Sequence, residues 1–169
     1  MRQAYFAILA IVSTSLTSSA AVAQSLAAPK GEPILVISGS ITNTNVSGTA
    51  QFDLPMLEAL GMVTMSTKTP WYDGVVTFEG VPMDKLMKLV GARGQTVRAI
   101  ALNDYVTAIP IDDFAKFGTM LAIRQNGQYM PVRDKGPLFI VYPFDSSAEL
   151  QTQTYYGRSA WQLAKLIVE

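Results

Sequence analysis

The chain has 169 residues, with 13 Lys and Arg against 13 Asp and Glu, no His, no Cys and an apolar share of 49%. That charge balance excludes the basic footprint that nucleic acid or an anionic membrane surface requires. Without Cys or His there is no thiolate or imidazole nucleophile, no Ser-His-Asp triad and no His acid near neutral pH, and zinc, copper and haem sites lose their usual ligands.

Residues 1–23 read as a cleaved export signal. Arg2 gives the positive start, Tyr5–Val12 an apolar run too short to span a bilayer, and Ala21-Val22-Ala23 the small-residue cleavage site. A periplasmic location follows as an expectation. Residues 24–32 (QSLAAPKGE) are expected to be a flexible leader into one domain over 33–169, a length that supports its own core.

Pro33–Ser38 predicts an apolar strand, and 39–45 a polar link. Asp53 is placed to cap a helix over Leu54–Leu60 that Gly61 ends, with Pro55 in its first turn. Met62–Thr67 alternates as a strand does, Thr69–Gly74 has turn chemistry, and Val75–Phe78 predicts a short strand. Gly80-Val81-Pro82 introduces an amphipathic helix with Val81, Met83, Leu86, Leu89 and Val90 on one face, stopped at Gly91. Strands over Val97–Leu102 and Tyr105–Ile109 flank a tight Asn103-Asp104 turn.

Asp112–Lys116 predicts a short helix, whose Asp112-Asp113 pair suits the helix dipole better than a calcium site. Met120–Arg124 predicts a strand, Asn126-Gly127 a hairpin turn and Leu138–Tyr142 the most buried strand. After an irregular stretch, Ala160–Val168 predicts the last strand. Short strands interrupted by short helices, without a βαβ rhythm, make the class α+β.

Four segments carry a family resemblance. They are Phe78-Glu79-Gly80-Val81-Pro82-Met83-x-x-Leu86-Met87, Tyr105-x-x-x-Ile109-Pro110, Gly136-Pro137-Leu138-x-x-x-Tyr142-Pro143, and Tyr156-Gly157-Arg158-Ser159-x-Trp161-Gln162. In this order, over roughly residues 33–168, the chain resembles the sulfite-oxidase type of molybdopterin-binding domain, which implies mixed β-sheets with short helices. Enzymes of that family hold molybdenum on a Cys thiolate in the strand-to-loop region before the first amphipathic helix. The corresponding stretch, Val63–Trp71, offers Ser66, Thr67, Thr69 and the thioether of Met65. The enzymes also tend to carry Arg where this chain has Phe139.

Short, exported, cysteine-free chains of this kind are similar to periplasmic pterin-binding proteins of the same fold. The resemblance implies a non-catalytic sensor of a reduced pterin, with no tightly bound cofactor and no metal. It further implies a partner, the periplasmic domain of a membrane diguanylate cyclase or phosphodiesterase that makes or breaks cyclic di-GMP. The alternative is a molybdopterin-dependent oxidoreductase or its accessory subunit.

The residue types suit a pterin, a flat polar bicycle that stacks on aromatic rings and accepts hydrogen bonds at its amide edge. Trp71, Tyr105, Tyr156 and Trp161 are the candidate faces, and Arg158 and Ser159 the candidate donors. Asp73 and Asp104 belong to turns.

Overall fold

Buried positions alternate with more exposed ones along several strands, and the strands assemble into two sheets. The computed structural model describes residues 26–169, so the export signal predicted over 1–23 lies outside the described residues. In chain order the elements are β1 (Leu35–Gly39), β2 (Ala50–Phe52), α1 (Leu54–Ala59), β3 (Val63–Thr69), β4 (Tyr72–Pro82), α2 (Met83–Leu89), β5 (Thr96–Ala101) and β6 (Val106–Pro110). They continue with α3 (Asp112–Phe117), β7 (Met120–Gln125), β8 (Gln128–Tyr129), β9 (Phe139–Val141), α4 (Gln153–Arg158) and β10 (Leu163–Val168).

One sheet has the order β2-β1-β10-β5-β6; the other runs β3-β4-β7-β8, with β9 also on β7. The pairing of β1 with β10 is parallel, and all the others are antiparallel. The domain is therefore α+β with mixed sheets. The core between its elements includes the fully buried Phe52, Phe78, Phe114, Phe139 and Tyr142. Among the described residues no helix is long and apolar enough to cross a membrane.

Asp53 caps α1 as its position predicts, its Oδ1 accepting from the Met56 amide at 3.0 Å. Its Oδ2 accepts from the amides of Lys30 and Gly31, each at 2.9 Å. Asn45 Nδ2 donates to the Ala27 carbonyl at 2.8 Å, and Leu26 packs against the core. The part of the leader within the described residues, 26–32, is thus held to the body by hydrogen bonds and apolar contact instead of hanging free.

Gly80 lies where β4 shifts register against β7, and a Cβ there would collide with the Leu121 carbonyl. This close backbone approach is what the glycine of the Phe-Glu-Gly-Val-Pro segment permits. Expectations about the elements change in four places, the first being the turn expected over Thr69–Gly74, which shrinks to Pro70-Trp71 because β3 runs to Thr69 and β4 starts at Tyr72. The strand predicted over Val75–Phe78 runs on as β4 through Pro82, so Val81 is a buried strand residue and α2 begins at Met83. The stretch expected to be irregular contains α4. The last strand begins at Leu163, which leaves Trp161 in a bend before it. Both changes near the C-terminus follow from tertiary contacts that hold Tyr155 and Trp161 in aromatic packing.

Candidate functional site

A two-residue turn, Pro70-Trp71, joins β3 to β4 and places Trp71 at the end of the second sheet. Tyr105 leaves the Asn103-Asp104 turn at the edge of the first sheet, with Asp104 in the left-handed region at φ 64°. The chain from α4 to Trp161 runs between these two points. Together they enclose a cleft of about 220 Å³ whose walls include Trp71, Tyr105, Tyr156, Ser159 and Trp161. Five of the six residues singled out in the sequence are thus brought together.

Trp71 is the hub of the aromatic wall. Its ring centre lies 5.4 Å from Phe139, 5.7 Å from Phe144, 6.1 Å from Tyr156 and 5.5 Å from Trp161, and all four contacts are edge-to-face. Each such contact adds about 0.5–1.5 kcal/mol beyond area burial, and together they fix the ring's plane. Across the cleft, the Tyr105 hydroxyl donates to the Gly157 carbonyl at 2.7 Å.

The two predicted donors are otherwise engaged. Arg158, the last residue of α4, gives Nη1–H to Asp113 Oδ2 at 2.8 Å and is not among the residues lining the cleft. Ser159 does line it, but its hydroxyl is buried and donates to the Tyr155 carbonyl at 2.8 Å. Gln153 and Gly157 complete the lining. Gln153 does not stand out in the sequence, because α4 has no side-chain cap to mark it as a helix. The helical spacing of Gln153 and Tyr156, three residues apart, is the signal that points both at one face. The Gln153 amide is exposed, and its donor and acceptor are uncommitted to other side chains among the described residues. An amide of this kind complements the donor–acceptor edge of a pterin.

A second cavity of about 170 Å³ shares Tyr156 with the first and is lined also by Lys68, Thr69 and Asp145. It adjoins the stretch that corresponds to the molybdenum ligand in the resembling enzymes. Thr67 there is fully buried, and its hydroxyl donates to Asp145 Oδ1 at 2.7 Å. That bond holds the Asp145 carboxyl below its usual range, so the group is charged at neutral pH. Ser66 pairs with Thr77 across the hairpin at 2.9 Å, and Thr69 Oγ1 accepts from the Trp71 amide at 3.3 Å.

This donor set does not fit a molybdenum-bearing cofactor. The chain has no thiolate, and the one buried hydroxyl in the corresponding stretch is already tied to a carboxylate. Two cavities of 220 and 170 Å³ fall individually below the roughly 300–1,000 Å³ typical of sites for larger ligands. A phosphorylated cofactor reaching into both would meet the Asp145 carboxylate, whose charge offsets that of Lys68.

Residues 55–148 match the family described as the oxidoreductase molybdopterin binding domain. Trp71 and Tyr105 lie inside the matched span; Tyr156, Arg158, Ser159 and Trp161 lie beyond it. Among solved structures the chain is similar to the sulfane dehydrogenase SoxCD from Paracoccus pantotrophus, with a TM-score of 0.60 and 16% identity over 79% of this chain. It spans 37% of that chain, and the likeness is one of fold. No curated protein matches the sequence.

Proposed function

The chain belongs to the oxidoreductase molybdopterin binding domain family, and from that premise we propose that it is a pterin-binding member without chemistry of its own. The observation that carries this reading is the aromatic cleft, in which four rings and the Gln153 amide surround a space for one flat heterocycle. Stacking supplies the bulk of the attraction and the amide supplies orientation. No lysine or arginine lines this cleft, so the ligand's bicycle, and not an anionic tail, is what it recognises.

Following the family resemblance, the bound form is a reduced pterin. It would be signalled to the periplasmic part of a membrane enzyme that makes or breaks cyclic di-GMP, in keeping with the export signal expected over 1–23. The test is calorimetry of the purified chain with a tetrahydropterin, run beside molybdenum analysis of protein from molybdate-supplied cells. Saturable binding of one pterin per chain with molybdenum well below one equivalent is the expected result.

A second reading is supported by the fold likeness to a dehydrogenase, namely a molybdopterin-dependent oxidoreductase or its accessory subunit. Stoichiometric molybdenum that survives gel filtration would favour that reading and reject the first.

A further inference from the structure

We propose that Asp113 and Arg158 form a positioning pair that sets the cleft's width, the guanidinium holding α4 in place instead of touching the ligand. The inference rests on the pterin-binding reading above. Asp113 stands in the first turn of α3 and is 7% exposed, where a carboxylate without partners would be costly. Its Oδ2 accepts from Arg158 Nη1 at 2.8 Å and from the Tyr142 hydroxyl at 3.0 Å. The Arg158 guanidinium carbon lies 5.1 Å from the centre of the Tyr155 ring.

The consequence for the cleft comes from chain order. Gly157 and Ser159, the neighbours of Arg158 on either side, both line the cleft. Any rotation of the last turn of α4 therefore moves two wall residues and the carbonyl that receives the Tyr105 hydroxyl. A parallel tie joins the same two helices: Lys116 of α3 pairs with Glu149 at 3.1 Å, and Glu149 accepts from the Tyr155 hydroxyl at 2.7 Å. Phe117 packs edge-on against Tyr155 at 5.2 Å. Whereas the Lys116–Glu149 pair is exposed and screened by solvent, the Arg158–Asp113 pair is mostly buried and keeps its directional geometry. It is the tie that fixes one position for α4.

The opposite role for Arg158, direct donation to the ligand, makes a forecast of opposite sign. Removing the Asp113 charge would free the guanidinium and leave binding intact or tighter. Loss of a positioning pair instead weakens binding. The experiment is calorimetry with 6-methyltetrahydropterin, together with hydrogen exchange over residues 153–159 in the ligand-free protein. Asp113→Asn is expected to weaken binding by about tenfold and to speed exchange in that segment. Arg158→Lys keeps the pairing charge and is expected to stay within about threefold of wild type, whereas loss of a direct forked donor would exceed that.

Should Asp113→Asn fail to fold because it strands a buried arginine, the double variant Asp113→Asn with Arg158→Met leaves no lone charge. It is expected to fold, to exchange faster over 153–159 and to bind more weakly than Arg158→Lys. Unchanged or tighter binding by Asp113→Asn, or equal affinity of the double variant and wild type, overturns the proposal. If wild type binds no pterin at all, the functional reading above fails. The pair is then judged on exchange alone, where unchanged protection in the variants rejects it.

Discussion

The hydroxyl of Tyr105 reaches the carbonyl of Gly157 at 2.7 Å, so the edge of one sheet is tied directly to the helix that walls the cleft. Tyr105 is 45% exposed, and the bond competes with water. Tyr105→Phe is therefore expected to cost only about 0.5–1 kcal/mol of stability. A fall in Tm of about 2–4 °C per kcal/mol follows for a chain of this size. On the proposed function a Phe ring keeps the stacking face, so pterin affinity should drop only a few-fold, and Tyr105→Ala should drop it much further. Paired thermal melts and calorimetry check both parts, and equal affinity of the Phe and Ala variants would remove Tyr105 from the site.

Gly157 offers a cleaner separation of site from scaffold. A Cβ built there would meet the Tyr105 hydroxyl oxygen at 3.7 Å, an ordinary contact, and the residue is helical with no need for positive φ. Gly157→Ala should then fold as well as wild type or gain about 0.4–1 kcal/mol. The added methyl sits in the cleft wall, so affinity should fall several-fold while Tm holds or rises. Unaltered affinity would show that no ligand presses on this wall.

On the proposed function, Trp71 serves both stability and binding. Truncation of a large core aromatic costs about 3–5 kcal/mol, and Trp71, being half-buried, should lose nearer 2–3 kcal/mol on change to Ala. Trp71→Phe keeps a ring among Phe139, Phe144 and Trp161 and should lose about half as much. Ligand affinity measured well below each variant's Tm should follow the order Trp, Phe, Ala. A stability loss with constant affinity would assign Trp71 to the scaffold alone.

Four carboxylates, those of Asp53, Asp84, Asp145 and Glu149, are held below their usual range, and Asp53 and Asp145 should each contribute to acid unfolding. Asp53 is held below its usual range chiefly by the Gly31 amide and then by that of Met56, and Asp145 chiefly by the Thr67 hydroxyl. A depressed folded pKa means that the unfolded chain binds more protons, so stability rises with pH there. Their contribution is complete above the unfolded carboxylate pKa of about 4 and is lost as pH falls through the lower folded values. Urea midpoints should be flat from about pH 5 to 7 and should decline below about pH 4. In Asp53→Asn and Asp145→Asn the midpoint should be lower at neutral pH and decline less on acidification. An undiminished acid decline in both variants would place its origin elsewhere.

What was legible from the chain by itself was mostly local. Asp53 capping α1, the Asn103-Asp104 turn and the Trp71 turn follow from the backbone preferences of single residues, which operate over a few positions. The α+β class followed from short alternating segments, and the aromatic identity of the cleft from residue type. Tertiary structure decided the rest. The parallel pairing of β1 with β10 joins strands from opposite ends of the chain, a register that no local pattern encodes. Helix α4 has six residues and no side-chain hydrogen bond at its N-cap; packing of Tyr155 against Phe117 and Tyr142 makes it, not propensity. Arg158 has the chemistry of a ligand donor in the sequence, yet a buried Asp113 on a separate helix takes its guanidinium. Which partner an arginine meets depends on distances across the fold, and the one-dimensional chain carries those only once it is packed.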